Sequence, residues 1–392
     1  MTIVESRITP SQRARSQARE LPTPEGANPT AHAIGVPAFV TETGEHIPDL
    51  VITYQTWGTL SAAADNAILI EHALTGDAHV VGPTGPGQPT PGWWPGIIGP
   101  GAPLDTDTSF VVAVNAVGGC RGTTGPHTLA PDGRAWGSRF PRTTIRDQVD
   151  AEAIVADYLG IDRWQLVLGG SMGGMRAIEW VGSYPERTGA ALVIASTPWA
   201  TADQIAWGHT QLVAIENDPA WCGGDYYDSG DTPVAGLGLA RRIAHNTYRS
   251  AAELDDRFGL SPQTTHRPVD GGQFAVQSYL DHQGAKLVRR FDAGSYVNLT
   301  RAMATHDVTR DRGDLADVLG RYDGLLRVVA VDSDRLFPPA LSETMVAAYG
   351  REPLLSIHSD HGHDGFLIEH DQIAAITADV MADTRPLGSP VR

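Results

Sequence analysis

Short apolar runs recur along the chain at about 67–72, 109–115, 165–169, 190–196, 326–332 and 354–358. Each has the length and predominantly apolar character of a strand in a covered sheet. Helical patterns lie between several of them. Thr144 to Leu159 places Val149, Ala153 and Ala156 on one face, and another helix follows from Met175 to Trp180. Strands alternating with helices predict an α/β fold with a mostly parallel, doubly covered sheet. The span 197–314 is different. It lacks strand runs and shows helical spacing over Ala202–Asn217, Gly236–Tyr248 and Phe274–Phe291, the last with Val276, Tyr279, Leu280 and Leu287 on one face. The pattern therefore predicts a core made of 36–196 and 315–392, with a helical lid inserted at 197–314. Residues 1–35 read as a flexible leader. Gly82 to Gly101 is rich in Pro and Gly and carries Trp93-Trp94, which reads as an irregular loop at the rim of a site.

The run Gln165-Leu166-Val167-Leu168 feeds directly into Gly169-Gly170-Ser171-Met172-Gly173, and a helix follows. Strand, tight turn and helix form the setting in which G-x-S-x-G makes a nucleophile elbow. The strained turn exposes the serine oxygen above the sheet at the positive end of a helix. A serine needs a histidine base and an acid to orient it. In this fold both follow the serine, acid first. The run at 326–332 ends in Asp332-Ser333-Asp334, and the run at 354–358 leads into His358-Ser359-Asp360-His361-Gly362-His363. Spacing does not choose between Asp332 and Asp334, nor among His358, His361 and His363. One oxyanion donor would be the N–H of Met172, just after the nucleophile. The other would come from the loop after 67–72, in the region of Leu74. The histidines could instead belong to a metal site. No further Cys or His cluster at ligand spacing supports that, so no metal is expected.

Composition narrows the partners. The chain has 392 residues, 41% hydrophobic and 19% charged, as a globular protein does. A net charge of −17 argues against nucleic acid and anionic membrane surfaces as partners. No apolar run approaches membrane-spanning length, and the Arg-containing N-terminus has no signal-peptide core. Two cysteines make no disulfide framework. A cytoplasmic location is expected.

Several long motifs carry a resemblance. They are Ile70-Glu71-His72-Ala73-Leu74-Thr75-Gly76-Asp77, Gly118-Gly119-Cys120-Arg121-Gly122-Thr123-Thr124-Gly125-Pro126 and Ile145-Arg146-Asp147-Gln148, followed by Gly169-Gly170-Ser171-Met172-Gly173-Gly174. Later come Ala240-Arg241-Arg242-Ile243-Ala244-His245, Arg290-Phe291-Asp292-Ala293-Gly294-Ser295-Tyr296 and Gly362-His363-Asp364-Gly365-Phe366-Leu367. From about residue 35 to about 380 the chain resembles the homoserine O-acetyltransferases of the α/β-hydrolase superfamily. The resemblance implies Asp334 as the acid and His363 as the base. It implies Arg241 as the partner of the substrate carboxylate and Asp364 as the partner of its amine. A guanidinium fork suits a carboxylate, and a carboxylate suits an ammonium. It further implies L-homoserine and acetyl-CoA as substrates, with no bound cofactor. A homodimer is also expected. The triad alone is shared with esterases, and succinyl-CoA is a donor in related transferases. A non-catalytic binding protein on this fold is a third reading, which an intact Ser, Asp and His set opposes.

Overall fold

The computed structural model describes residues 18–22 and 30–384. Nine strands form the main sheet: β1 Arg19–Glu20, β2 Ala31–Val40, β3 His46–Gly58, β4 Ala67–Glu71, β5 Phe110–Val114, β6 Leu166–Gly170, β7 Ala190–Ile194, β8 Leu325–Val331 and β9 Leu355–Ile357. Their order across the sheet is β1-β2-β3-β5-β4-β6-β7-β8-β9. The first four pair antiparallel, and every contact from β5 onward is parallel. All five residues of β4, β5, β6 and β7 are buried. Alternate side chains go to opposite layers. Ala67 and Leu69 of β4 join one apolar cluster, while Ile68 and Ile70 join the other. Each such fully buried aliphatic side chain contributes ~1.5–3 kcal/mol, which explains why these runs carry no polar face.

Helix α1, Ile145–Leu159, starts at Thr144, whose hydroxyl and the Asp147 carboxylate cap each other's backbone N–H. Helix α2, Met172–Ser183, follows β6 directly. Between β7 and β8 run α3 Ala202–Glu216, α4 Val234–Tyr248, α5 Ala251–Phe258, α6 Ala275–Val288 and α7 Ala293–Ala304. The described residues of 197–314 hold no strand beyond isolated bridges. A third apolar cluster joins α4 and α7 residues such as Leu237 and Tyr296 to Leu74, Met172 and Phe337 of the core.

The leader reading needs correction. Arg19–Glu20 is paired with β2, and β2 begins at Ala31, so strand structure lies inside the stretch read as a leader. Residues 1–17 and 23–29 lie outside the described residues.

Candidate active site

The last residues of β6 set the serine. Ser171 has φ 59° and ψ −123°, a conformation that costs a non-glycine residue ~1–3 kcal/mol. Its surroundings hold it there. Ser171 N–H donates to Ile194 O at 3.0 Å, and its carbonyl accepts from Met175 N–H at 3.0 Å and Ser196 Oγ at 2.8 Å. Glycines let the neighbours close in. A Cβ on Gly173 would stand 2.1 Å from the Glu71 carbonyl, and one on Gly170 would stand 2.4 Å from the Phe366 ring. The elbow is thereby pressed between the end of β4 and the segment after His363.

Two other strand ends deliver the partners. His363 Nε2 lies 2.8 Å from Ser171 Oγ, and its Nδ1 lies 2.6 Å from Asp334 Oδ2. The second Asp334 oxygen accepts from Leu336 N–H and Phe337 N–H, both at 2.8 Å. All three side chains are buried. The imidazole is held by rings: Phe337 stacks on it at 4.8 Å, Phe366 tilts at 5.3 Å and Tyr248 at 6.0 Å. The other candidates pair elsewhere. His358 hydrogen-bonds Asp332 in the open, and His361 Nδ1 lies 3.2 Å from Glu253.

The loop after β4 is fastened from several sides. Ala116 N–H donates to His72 Nε2, so the His72 proton sits on Nδ1 and bonds Ala73 O at 2.8 Å. Burial and the Arg176 charge push the His72 pKa down to about 3, so this ring stays neutral. Arg290 Nη1 donates to Thr75 O, and Trp93 Nε1 donates to Asp77 O. Trp94 Nε1 donates to Phe366 O, so the rim loop ties the Leu74 loop to the His363 segment. Met172 N–H opens α2, where first-turn donors have no partner within the helix. Leu74 is buried beside Met172 in the same apolar cluster.

A buried charge cluster fixes the same region from behind. Arg176 of α2 is fully buried, with Glu71 Oε2 at 2.6 Å from Nη2 and Glu152 Oε1 at 2.7 Å from Nε. Burial, then the Glu152 charge, drives the Glu71 carboxyl well up despite Arg176. This cluster was not read from the sequence, since Glu71, Glu152 and Arg176 come from three distant segments.

Arg241 lies on α4, with its guanidinium 5.2 Å from the Tyr248 ring centroid. Asp364 follows His363 and is half-buried. Burial raises its carboxyl pKa, while Arg249, Arg241 and His363 oppose the rise. Arg241 and Asp364 both act on the Tyr248 phenol, whose ionisation burial already disfavours. Tyr248 thus lies between the Arg241 guanidinium, at 5.2 Å, and the His363 ring, at 6.0 Å. A cavity of about 60 Å³ is lined by Leu74, Met175, Phe337 and Tyr248 together with Trp207 and Met303 of the inserted helices. No Asp, Glu, Lys, Arg or His lines it. Among the described residues no group of His, Cys, Asp and Glu could hold a metal ion. Both cysteines are free thiols, and no described helix is long and apolar enough to cross a membrane.

Residues 66–369 match the α/β hydrolase fold family. The chain belongs to that family. The homoserine O-acetyltransferase of Thermobifida fusca is 55% identical over 343 residues, covering 87% of this chain and 90% of the relative. Within the α/β hydrolases, the chain belongs to the homoserine O-acetyltransferases. Among solved structures, the homoserine O-acetyltransferase of Bacillus anthracis superposes with a TM-score of 0.83 at 23% identity, covering 92% of this chain and 99% of that one. The acetyl esterase MekB superposes with a TM-score of 0.75 at 22% identity, covering 90% of this chain and 96% of that one. At such identity the two structures speak for the fold alone.

Proposed function

We propose that the protein transfers the acetyl group of acetyl-CoA to the γ-hydroxyl of L-homoserine through an acetyl-serine at Ser171. The observation that carries this reading is the relay from Asp334 through His363 to Ser171, at 2.6 and 2.8 Å, with Asp364 next in sequence to His363 and Arg241 against the Tyr248 ring that flanks the imidazole. His363 Nε2 takes the Ser171 proton as Oγ attacks the thioester carbon. The N–H groups of Met172 and Leu74 receive the oxyanion. Collapse breaks the C–S bond, and coenzyme A leaves with the proton from His363. Homoserine then enters with its carboxylate on Arg241 and its ammonium on Asp364. His363 removes the γ-hydroxyl proton, the new ester forms, and Ser171 regains its proton. Orienting the acceptor in this way can offset roughly 7–11 kcal/mol of barrier at best. The helices from α3 to α7 act as the lid that keeps water from competing.

The uncharged cavity supports acetyl over succinyl as the acyl group. A succinyl carboxylate placed there would lack a cation, and burying an unpaired charge is costly. The test is a steady-state rate matrix with acetyl-CoA and homoserine. Parallel double-reciprocal lines are expected from a ping-pong cycle. Intersecting lines would overturn the covalent route, and ester cleavage undiminished by homoserine would favour an esterase.

A further inference from the structure

Asp364 directly follows His363 and makes no side-chain hydrogen bond among the described residues. Its near charged contact is Arg249, whose Nε lies 3.1 Å from Oδ2. The two meet out of line, since that buried N–H forms no hydrogen bond. Arg249 is aimed by a separate contact: Nη1 donates to both oxygens of Glu253, at 2.9 and 3.3 Å. Glu253 sits in the first turn of α5, where its N–H bonds the capping Ser250 Oγ at 3.0 Å. The same carboxylate has His361 Nδ1 at 3.2 Å. A charged string therefore leaves the His363 loop at Asp364, passes through Arg249 and Glu253 of the lid, and returns to that loop at His361. The joint between α4 and α5 lies directly on the loop. Ser250 Oγ donates to Asp360 O, and a Cβ on Gly362 would stand 2.7 Å from Ser250 N.

We infer that Arg249 is a positioning residue for the acceptor amino acid: its guanidinium lies as an ion-pair partner against one oxygen of Asp364 and leaves the other for the substrate ammonium. The inference rests on the proposed role of Asp364 as ammonium partner. A charge is needed because a neutral carboxyl attracts an ammonium poorly, and burial works against that charge. The charged and titratable groups that act on Asp364 are Arg241 and Tyr248 of α4, Arg249 just after it, Glu253 of α5, Tyr279 of α6 and His363 beside it. Glu253 pushes the same way as burial, and Arg249 is the largest opposing charge. Without Arg249, Asp364 would take up a proton at a higher pH. Acceptor binding would then fail from the acid side. The donor half-reaction, which does not use Asp364, would be unaffected.

The test separates the half-reactions in the full-length enzyme. Rapid quench follows acetyl-enzyme formation from acetyl-CoA alone, and a homoserine chase follows its discharge, across a pH series. For Arg249→Gln, acetylation should stay near the wild-type rate. The acid limb of homoserine kcat/KM should move up by about one pH unit or more. Arg249→Lys keeps the charge without the fork and should restore most of the profile. Equal losses in both half-reactions would make Arg249 a strut and overturn the inference, as would an unmoved profile in Arg249→Gln. Asp364→Asn tells the two levels apart. If it raises the homoserine KM while Arg249→Gln changes nothing, only the role of Arg249 falls. If it leaves that KM unchanged, the ammonium site falls and takes this inference with it.

Discussion

The ends of β8 and β9 are joined by two aspartate–histidine pairs of similar chemistry. Asp334 and His363 are 0% and 4% exposed in their side chains, and the imidazole goes on to Ser171. Asp332 and His358 are 39% and 87% exposed, and among the described residues no side chain continues the relay beyond His358. The outer pair closes the strand ends: Asp332 also accepts from Ser359 N–H at 3.1 Å, and Gln372 brackets the His358 backbone. Hydrogen bonding to Asp332 and its charge raise the His358 pKa, which favours the imidazolium and disfavours a general base. An aspartate–histidine contact is thus not by itself a catalytic feature. Burial, ring packing and the atom beyond Nε2 separate the two pairs.

The comparison can be broken most forcefully at the third atom. Ser171→Ala should fold normally and lose transfer by roughly 10⁴-fold or more, because members of a triad act as a unit. Pure mutant enzyme keeping most of its activity would remove the serine from the mechanism. Next come the acids. Asp334→Asn should lower turnover by about 10⁴-fold, while Asp332→Asn should cost little. The opposite ranking in steady-state rates would exchange the roles of the two pairs. His363→Ala should be as severe, and His358→Ala mild.

The acceptor side gives a smaller effect. Arg241→Ala should lower homoserine kcat/KM by on the order of 10²-fold while sparing acetylation, through loss of a charge-assisted contact. Unchanged chase rates would withdraw Arg241 as the carboxylate partner. Replacing acetyl-CoA by succinyl-CoA should reduce kcat/KM by roughly 10²-fold, the scale of leaving a buried polar group unpaired. Equal rates would refute the reading of the uncharged cavity.

The smallest effect belongs to the outer pair and is one of stability. The folded-state pKa of His358 is raised above its ordinary 6.5. Its contribution is therefore fully present below that value and is lost as pH rises through the folded pKa. Thermal unfolding of wild type and His358→Ala should differ slightly at mildly acidic pH and converge at alkaline pH, with transfer rates alike.

The sequence made some of this legible and hid the rest for physical reasons. Strands β4 to β7 could be read because parallel strands covered on both faces are continuous apolar runs, and β8 and β9 because short apolar runs remain in them although Arg327 and Ser356 interrupt the pattern. The elbow could be read because strand, glycines, serine and helix are contiguous. Strands β2 and β3 went unread. Pro37, Pro48 and Asp49, the last at φ 52°, interrupt their alternation, and one side of each is partly exposed. The choice of acid and base was closed to spacing. Asp332 and Asp334 leave the same strand end two residues apart, and the contact from His363 to Ser171 spans 192 positions. Only the motif resemblance pointed to Asp334 and His363. Arg249 was hidden for the same reason, since its meaning depends on Asp364, far along the chain.

The central claim is that acyl transfer runs through Ser171, driven by the inner pair. Intact-protein mass spectrometry after a brief exposure to acetyl-CoA tests it most directly, followed by peptide mapping and a homoserine chase. The account predicts one acetyl group on the peptide containing Ser171, released by homoserine as the acetyl ester, present in Asp332→Asn and missing in Ser171→Ala. An enzyme that turns over fully yet never carries acetyl on that peptide, or that still carries it after Ser171→Ala, would contradict the account.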